Sequence, residues 1–180
     1  REALAVNIVM AGCTPEYGPV VRAALVAMCS PPFNLNGVQA TTHVAAPLVV
    51  VNGPMRQTIG MNSGSGLFGP GNRANATIGR AIRLVLLNVG GGVPGDLDKS
   101  TLGHPGKYTF CIAENEEESP WTPLHVERGY TREQSTVTVF AAESPRQVRA
   151  TGQPEAILHA IADVASSLGT SLSTSGSVGE

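Results

Sequence analysis

The sequence predicts an α/β fold, a layered (three-layer) sandwich built on a mixed, mainly parallel sheet. Apolar runs typical of buried strands alternate with segments whose apolar residues recur at helical spacing. The composition, with 42% hydrophobic and 14% charged residues in a chain of 180, suits a globular protein with a sizeable core. Two predicted strands, 107–115 and 135–143, are joined without a convincing helix, so we expect part of the sheet to be antiparallel.

The first part of the chain predicts a strand, a helix and a second strand. Residues 4–13 (LAVNIVMAGC) form a continuous apolar run, which is typical of a buried strand. A helix over 15–29 follows, with Thr14 as its N-cap and Pro15 at its first position. Residues 43–53 (HVAAPLVVVNG) predict the second buried strand.

The second part predicts a helix, two strands and a closing helix. The helix covers about 74–88, and one stripe of it is apolar: Ile78, Ala81, Ile82, Val85 and Leu86. The strands at 107–115 and 135–143 are rich in β-branched and aromatic residues. An amphipathic helix over 154–169 closes the folded part.

Composition and cysteine usage limit the kind of protein. We expect one domain over 1–168 and a flexible Gly/Ser/Thr-rich tail or unfinished loop over 169–180. The net charge of −2 provides no basic face for nucleic acid, and no apolar run approaches the ~20 residues of a membrane helix. Three widely spaced cysteines (Cys13, Cys29, Cys111) and the absence of a signal-peptide pattern predict a cytoplasmic protein.

A glycine-rich loop, MNSGSGLFGPGNRANATIGRA at 61–81, precedes the second predicted helix. It contains G-x-G-x-x-G, but Pro70 delays the helix and position 89 is Val, so a dinucleotide site is not indicated. Its glycines and the helix N-terminus suit a small polar or anionic ligand, and the alternative is a long surface turn. The predicted substrate-binding residues are Asn62, Ser63, Gly64, Gly66, Arg73 and Asn75.

Cys13 lies where the first predicted strand meets its helix. A thiol at a helix N-terminus has a lowered pKa, and ligands of open α/β sheets gather at the carboxyl ends of strands. We therefore predict that Cys13 is a nucleophile or redox thiol, and the alternative is a small apolar residue closing a strand. His43, just before the second strand, is a candidate base or ligand.

A run of carboxylates crowds the end of the 107–115 strand: Glu114, Glu116, Glu117 and Glu118. Such a cluster can bind a hard cation or raise the pKa of one carboxyl group, and otherwise it is simply solvated. We place Glu114 with Cys13 and His43 as the candidate catalytic residues. The alternative metal ligands are Cys111, Glu114 and Glu116, although no H-x-x-x-H or C-x-x-C spacing supports zinc.

Three functions stay open from the residues alone. The first is an enzyme subunit, a thiol-dependent oxidoreductase or lyase, which binds its small-molecule substrate at 61–77 and uses Cys13, with His43 or Glu114 handling protons. The second is a metal-assisted hydrolase or lyase that uses Glu114, Glu116 and His43. The third is a non-catalytic assembly subunit. The sequence names no cofactor.

Five stretches of the chain carry a resemblance to a known family: MAGCTPEYGPVV, GVQATTH, VNGP, NSGSGLFGPGNRANATIGRAIRLVLLNVGG and PGKYTFCIAENEEESPW. From residue 4 to about 170 the chain resembles the C-terminal half of bacterial UGSC-family (seleno)proteins, which are largely of unassigned function. Longer members carry an upstream selenocysteine- or cysteine-Gly-Ser-Cys motif, which implies thiol or selenol redox chemistry. This chain contains no such motif, and the resemblance supplies no catalytic residue.

The same resemblance implies a partner. Relatives continue with a strand-like PLVV segment where this chain stops, so we expect a second polypeptide to complete the sheet. An open sheet edge is normally covered or paired. We expect the pairing beside the strand at 47–52 or at 4–10, with the helices 15–29 and 154–168 flanking the contact.

Overall fold

The computed structural model describes residues 2–167 and 170, and it places them in an α/β arrangement of helices and a three-stranded mixed sheet. The helices are α1 (Glu2–Met10), α2 (Gly18–Met28), α3 (Leu35–Ala40), α4 (Met55–Thr58), α5 (Arg73–Asn88), α6 (Leu124–Glu127) and α7 (Pro154–Ala165). The strands are β1 (Ala46–Asn52), β2 (Cys111–Ala113) and β3 (Thr136–Ala142). Short 3-10 helices cover Pro15–Tyr17, Pro31–Phe33 and Pro105–Lys107. No helix within the described part of the chain is long and apolar enough to cross a membrane.

The sheet has the strand order β2-β1-β3, so β1 is central. β1 runs parallel to β2, with Val49 opposite Cys111, and antiparallel to β3, with Val49 opposite Val139 and Asn52 opposite Thr136. The predicted α/β class and the predicted antiparallel part of the sheet are confirmed. The described strands include one parallel and one antiparallel pair.

The prediction of a strand over 4–13 is wrong, because most of this segment is helix α1. A continuous apolar run fits a buried strand or a helix, and its periodicity does not separate the two. Here Leu4 and Ile8, four residues apart, pack on the core, while Val9 is 72% exposed. Cys13 therefore follows a helix and not a strand.

Most other predicted elements are confirmed, with changed ends. The helix predicted at 74–88 is α5, and the strands predicted at 43–53 and 135–143 are β1 and β3. The helix predicted at 15–29 is divided into the 3-10 helix Pro15–Tyr17 and α2. Pro19 lies in the first turn of α2, where a proline favours the start of a new helix.

The strand predicted at 107–115 is shortened to β2. Its first residue, Lys107, is instead the last residue of the 3-10 helix, where the amide of Gly106 donates to the His104 ring nitrogen at 3.1 Å. The sheet pairing begins only where Phe110, which is buried, accepts a hydrogen bond from Val49.

The core lies between the sheet and the helices α2 and α5. Val49 and Val51 of β1 face these helices, and the fully buried side chains around them include Val21, Ala24, Met28, Ile78 and Ala81. Each large apolar side chain buried here stabilises the fold by about 1.5–3 kcal/mol. Gly79 lets α5 approach the strand, because a Cβ at this position would lie 2.6 Å from the backbone nitrogen of Phe110.

The described residues form two compact units, one within 1–142 and one within 143–180, and the domain predicted over 1–168 spans both. In the second unit, α7 begins at Pro154, and Leu158 is 65% exposed. Arg146 donates a hydrogen bond to the Ser167 hydroxyl in the same unit. The predicted tail at 169–180 lies outside the described residues, apart from Thr170.

Candidate functional site

The candidate site lies at the carboxyl ends of β1 and β2, which meet because these strands are parallel. Asn52 is the last residue of β1, and Glu114 directly follows β2. The Asn52 side-chain nitrogen donates to Glu114 Oε2 at 2.5 Å and to Glu116 Oε1 at 2.9 Å. One amide nitrogen thus holds two carboxylates together.

Backbone amides hold the same two carboxylates from the other side. Gly53 N–H donates to Glu116 Oε1 at 2.7 Å, and Leu124 N–H donates to Glu114 Oε2 at 3.0 Å. Gly53 has φ +80°, and a Cβ there would lie 2.2 Å from the carbonyl oxygen of Gln134. Only glycine fits this turn, because the conformation and the close backbone approach both exclude a side chain.

Arg56 is the buried cation of the cluster, with 4% of the residue exposed. Its Nε lies 3.1 Å from Glu116 Oε1, its Nη2 donates to Glu117 Oε1 at 2.8 Å, and its Nη1 donates to the carbonyl of Glu114 at 2.7 Å. Burial alone would lower the pKa of Arg56, but the carboxylates outweigh it and raise that pKa. The hydrogen bond from Arg56 lowers the pKa of Glu117.

The carboxylate run therefore differs from both sequence interpretations. Glu116 and Glu117 are paired with a buried arginine, so they are neither an open cation site nor a simply solvated run. Among the residues 2–167 and 170, no three His, Cys, Asp or Glu side chains are placed to hold a metal ion. The alternative ligand set of Cys111, Glu114 and Glu116 is accordingly not assembled.

His125, on the short helix α6, is the unusual residue of this site. It is 1% exposed, and its Nδ1 lies 3.8 Å from Glu116 Oε1. Neither ring nitrogen has a hydrogen-bond partner among the described residues. A buried donor or acceptor without a partner lowers the free energy of unfolding by about 1–3 kcal/mol. The presence of an unpartnered histidine at this buried position therefore calls for an explanation.

A cleft of about 590 Å³ leads to His125. At this end it is also lined by Arg128, Tyr130 and Thr136, whose Oγ1 is buried without a partner among the described residues. Six consecutive residues, 136–141, line its length. Because successive strand residues point to opposite faces, a cleft lined by all of them follows the outer edge of β3.

Cys13 is half-buried, and its Sγ lies 3.2 Å from the carbonyl oxygen of Thr77 in α5. The predicted lowering of its pKa is wrong. Burial raises the pKa of the Cys13 thiol, and the hydrogen bond at Thr77 and the nearby charge of Arg73 offset only part of that increase. Burial likewise raises the pKa of Cys111, which lies near Cys13.

The three predicted catalytic residues lie in three separate places. Glu114 is at the carboxyl end of the sheet, as predicted, whereas His43 precedes the opposite end of β1, a strand about 20 Å long. Cys13 packs against α5 and the core. The structure brings Glu114 together with Asn52, Arg56 and His125 instead.

The polar side chains of the glycine loop hold the loop itself. Asn62 and Asn75 exchange two hydrogen bonds, at 3.0 Å and 2.9 Å, and Asn62 Oδ1 accepts from the amide of Gly64 at 2.9 Å. Arg73 donates from Nε and Nη2 to the carbonyl of Gly12, at 3.2 Å and 3.0 Å. Their role in substrate binding, with that of Ser63 and Gly66, stays a prediction.

Sequence reasoning missed Asn52, Arg56 and His125 as site residues. Asn52 carried a usable signal, because it is the polar residue that ends the apolar run of β1 at the ligand-binding edge. His125 carried none, since its burial beside Glu116 arises only from the packing of distant segments. No protein-family model, curated protein or solved structure matches this chain.

Proposed function

We propose that this chain is an enzyme subunit that binds a small polar substrate at the His125 end of the cleft and catalyses proton transfer there. The observation that carries this proposal is the buried imidazole of His125, which has no hydrogen-bond partner among the described residues and lies 3.8 Å from a carboxylate. Buried polar groups without partners are rare, and substrates supply such partners at active sites.

In this mechanism His125 is the general base, and Glu116 is a positioning residue. A proton on Nδ1 faces Glu116, which leaves the lone pair of Nε2 for the substrate and stabilises the imidazolium that forms. Asn52, Gly53 and Arg56 fix the Glu116 carboxylate in place. Proton abstraction of this kind serves a lyase, one of the classes expected from the sequence, or an isomerase.

Substrate access to the buried imidazole requires movement of side chains that line the cleft beside it. Tyr130 is 50% exposed and Arg128 is exposed, so both can rotate without disrupting the core. The backbone of this turn stays fixed by the hydrogen bond from Tyr130 N–H to the carbonyl of His125, at 3.0 Å. We therefore expect the cleft to open toward His125 by rotation of side chains, while the helix α6 stays in place.

Solvent-deuterium exchange tests the proposal without knowledge of the product. The full chain is incubated in D₂O with a panel of small polar metabolites, and NMR detects deuterium incorporation. We expect His125→Gln to lower the exchange rate by about 10²–10⁴, the usual contribution of a general base. His159→Gln, at an exposed position on α7, is the matched control. Full exchange activity in the His125 variant would contradict the mechanism.

A second measurement tests the positioning role of Glu116. Imidazole ¹⁵N chemical shifts report which ring nitrogen carries the proton, and we expect Glu116→Gln to change the tautomer of His125. Glu118→Gln, at an exposed position of the same run, should leave it unchanged. Equal spectra for the wild type and the Glu116 variant would argue against this role.

Two sequence-based hypotheses remain as proposals beside this one. Thiol chemistry at Cys13 has the support of its half-buried position near Cys111 and Arg73, but the raised pKa of Cys13 weighs against a thiolate. Membership of the UGSC family has the support of the quoted stretches between residues 4 and about 170.

We also propose that a second polypeptide extends the sheet, at a different place from the one first expected. β1 has a neighbour on each side and residues 4–10 are helical, so neither can accept a strand. The outer edge of β3 is open among the described residues, and its sequence TVTVFAA contains no charge or proline. A strand along 137–141 would cover the part of the cleft that these residues line and leave the His125 end to the substrate. Further strands would build the mainly parallel, three-layer sandwich.

A further inference from the structure

The cleft beside His125 carries a positive charge. Among the described residues that line it, Arg128 is the charged side chain and no carboxylate is present. Arg128 has no ion-pair partner within the described ranges, whereas Arg56 and Arg83 are each paired with a carboxylate. A lining arginine without a carboxylate partner among the described residues favours an anionic ligand at this end of the cleft.

Arg128 and His125 are neighbours at the C-terminal end of the short helix α6. They are three positions apart in the sequence, and Arg128 follows the last residue of α6 with φ −84° and ψ 7°. Residues at this spacing have Cβ atoms about 5–6 Å apart, so one small molecule can reach both side chains. Arginine binds a carboxylate through two parallel hydrogen bonds.

Thr136 supplies the third contact. Its Oγ1 is buried at the same end of the cleft and has no partner among the described residues. A hydroxyl group donates one hydrogen bond and accepts others, so it matches a carbonyl or hydroxyl oxygen on the ligand. The site therefore presents a cation, a hydroxyl and an imidazole to one small molecule.

We infer that the substrate is a short-chain oxo or hydroxy carboxylic acid whose carboxylate binds Arg128. This inference rests on the proposed proton transfer at His125. With an oxo acid, the carbonyl oxygen accepts from Thr136, and Nε2 of His125 takes the proton from the carbon next to that carbonyl. The C–H bond breaks, and its electron pair stays on the substrate as an enolate. A deuteron returned from the solvent-exchanged imidazolium completes the exchange.

Binding of a matched acid and amide tests this inference. The probes are 2-oxobutanoate and 3-hydroxybutanoate, each compared with its neutral amide, and NMR titration measures the dissociation constants. We expect the acid to bind about tenfold or more tightly than the amide, the effect of a charge-assisted hydrogen bond. Arg128→Gln should weaken acid binding by a similar factor. Arg128→Lys should weaken it by less, because lysine keeps the positive charge but cannot form the two parallel hydrogen bonds.

Arg132→Gln is the control, because Arg132 is exposed and does not line the cleft. The inference is overturned if neither acid binds the wild type, if each amide binds as tightly as its acid, or if Arg128→Gln leaves acid binding unchanged. Inorganic phosphate is a further probe, and binding equal to that of the acids would replace the carboxylate assignment with a general anion site.

The two proposals fail in different ways. If His125→Gln retains exchange while Arg128→Gln loses acid binding, the general-base role is wrong and the anion site stands. If His125→Gln loses exchange on a neutral substrate while Arg128→Gln changes nothing, the base stands and the carboxylate inference is wrong. If both proposals hold, we expect His125→Gln to lower the exchange rate by about 10²–10⁴ and Arg128→Gln to weaken the binding of 2-oxobutanoate by about tenfold.

Discussion

Replacing Asp98 by asparagine tests the buried charge cluster beneath α5. Asp98 is 5% exposed. Its carboxylate accepts hydrogen bonds from Lys107 Nζ at 2.9 Å and 3.0 Å and lies 3.4 Å from Arg83 Nη2. The side chains of Lys107 and Arg83 are each only 13% exposed. Asp98→Asn keeps the shape but leaves two largely buried cations without their counter-charge. Breaking a buried pair in this way costs about 3–5 kcal/mol, so we expect that loss in the free energy of unfolding at pH 7.

The pH dependence of this loss identifies its cause. Burial would raise the pKa of Asp98, but the hydrogen bond from Lys107 and the neighbouring donors outweigh it, so the pKa in the folded state is lowered. The stabilisation is therefore fully present above the unfolded-state pKa of about 3.9 and is lost as the pH falls through the folded-state value. The difference between the wild type and Asp98→Asn should be constant between about pH 7 and 5 and shrink below about pH 4.

Urea unfolding followed by circular dichroism, at several pH values from 7 to 2.5, measures both effects. Asp96→Asn is the control, because Asp96 is exposed and a surface substitution usually changes stability by less than about 0.5 kcal/mol. A loss below about 1 kcal/mol at pH 7 would refute the ion-pair reasoning. So would a difference that is as large at pH 2.5 as at pH 7.

Three further predictions concern packing, the thiol and the sheet edge. Gly79→Ala should destabilise the fold by about 1–3 kcal/mol in urea unfolding, because the new methyl group would meet the backbone of Phe110, whereas Gly18→Ala, with open space around it, should not. Alkylation of Cys13, followed by peptide mass spectrometry, should show an apparent pKa above that of the urea-unfolded chain, since burial raises it; a lower value would restore the activated thiol. Thr138→Lys places a charge on the edge strand β3 and should reduce the native mass of the complex purified from its source to that of the single chain, whereas an unchanged mass would argue against pairing at this edge.

The sequence predicted those elements whose own periodicity decides their structure. The apolar stripe of α5 is buried, and Val137 and Val139 on one face of β3 pack against the core, so both patterns are readable without neighbours. Helix α1 was misread because its run is apolar on nearly every side, and only its packing against α5 determines that it is helical. The error carried over to Cys13, whose expected position depended on a strand before it.

The candidate site was half predictable for a related reason. Glu114 lies at the end of its strand, as the carboxylate run predicted, and its catalytic role stays a prediction. His125 was not, since nothing in PLHVERGY signals that this histidine is buried against a carboxylate from another segment. Arg73 looked like an anion ligand, but the turn after α1 supplies a carbonyl that the sequence does not place.

The peptide units on either side of Gly53 bind both members of the central ion pair. The amide of Gly53 donates to Glu116, and its carbonyl accepts from Nε of Arg56. Any movement that separates the arginine from the carboxylate must therefore also break a hydrogen bond to the main chain of Gly53. The ion pair thus moves together with the end of β1. A substrate bound at His125 would meet a carboxylate whose position is set before binding, so none of the binding free energy is consumed in ordering Glu116.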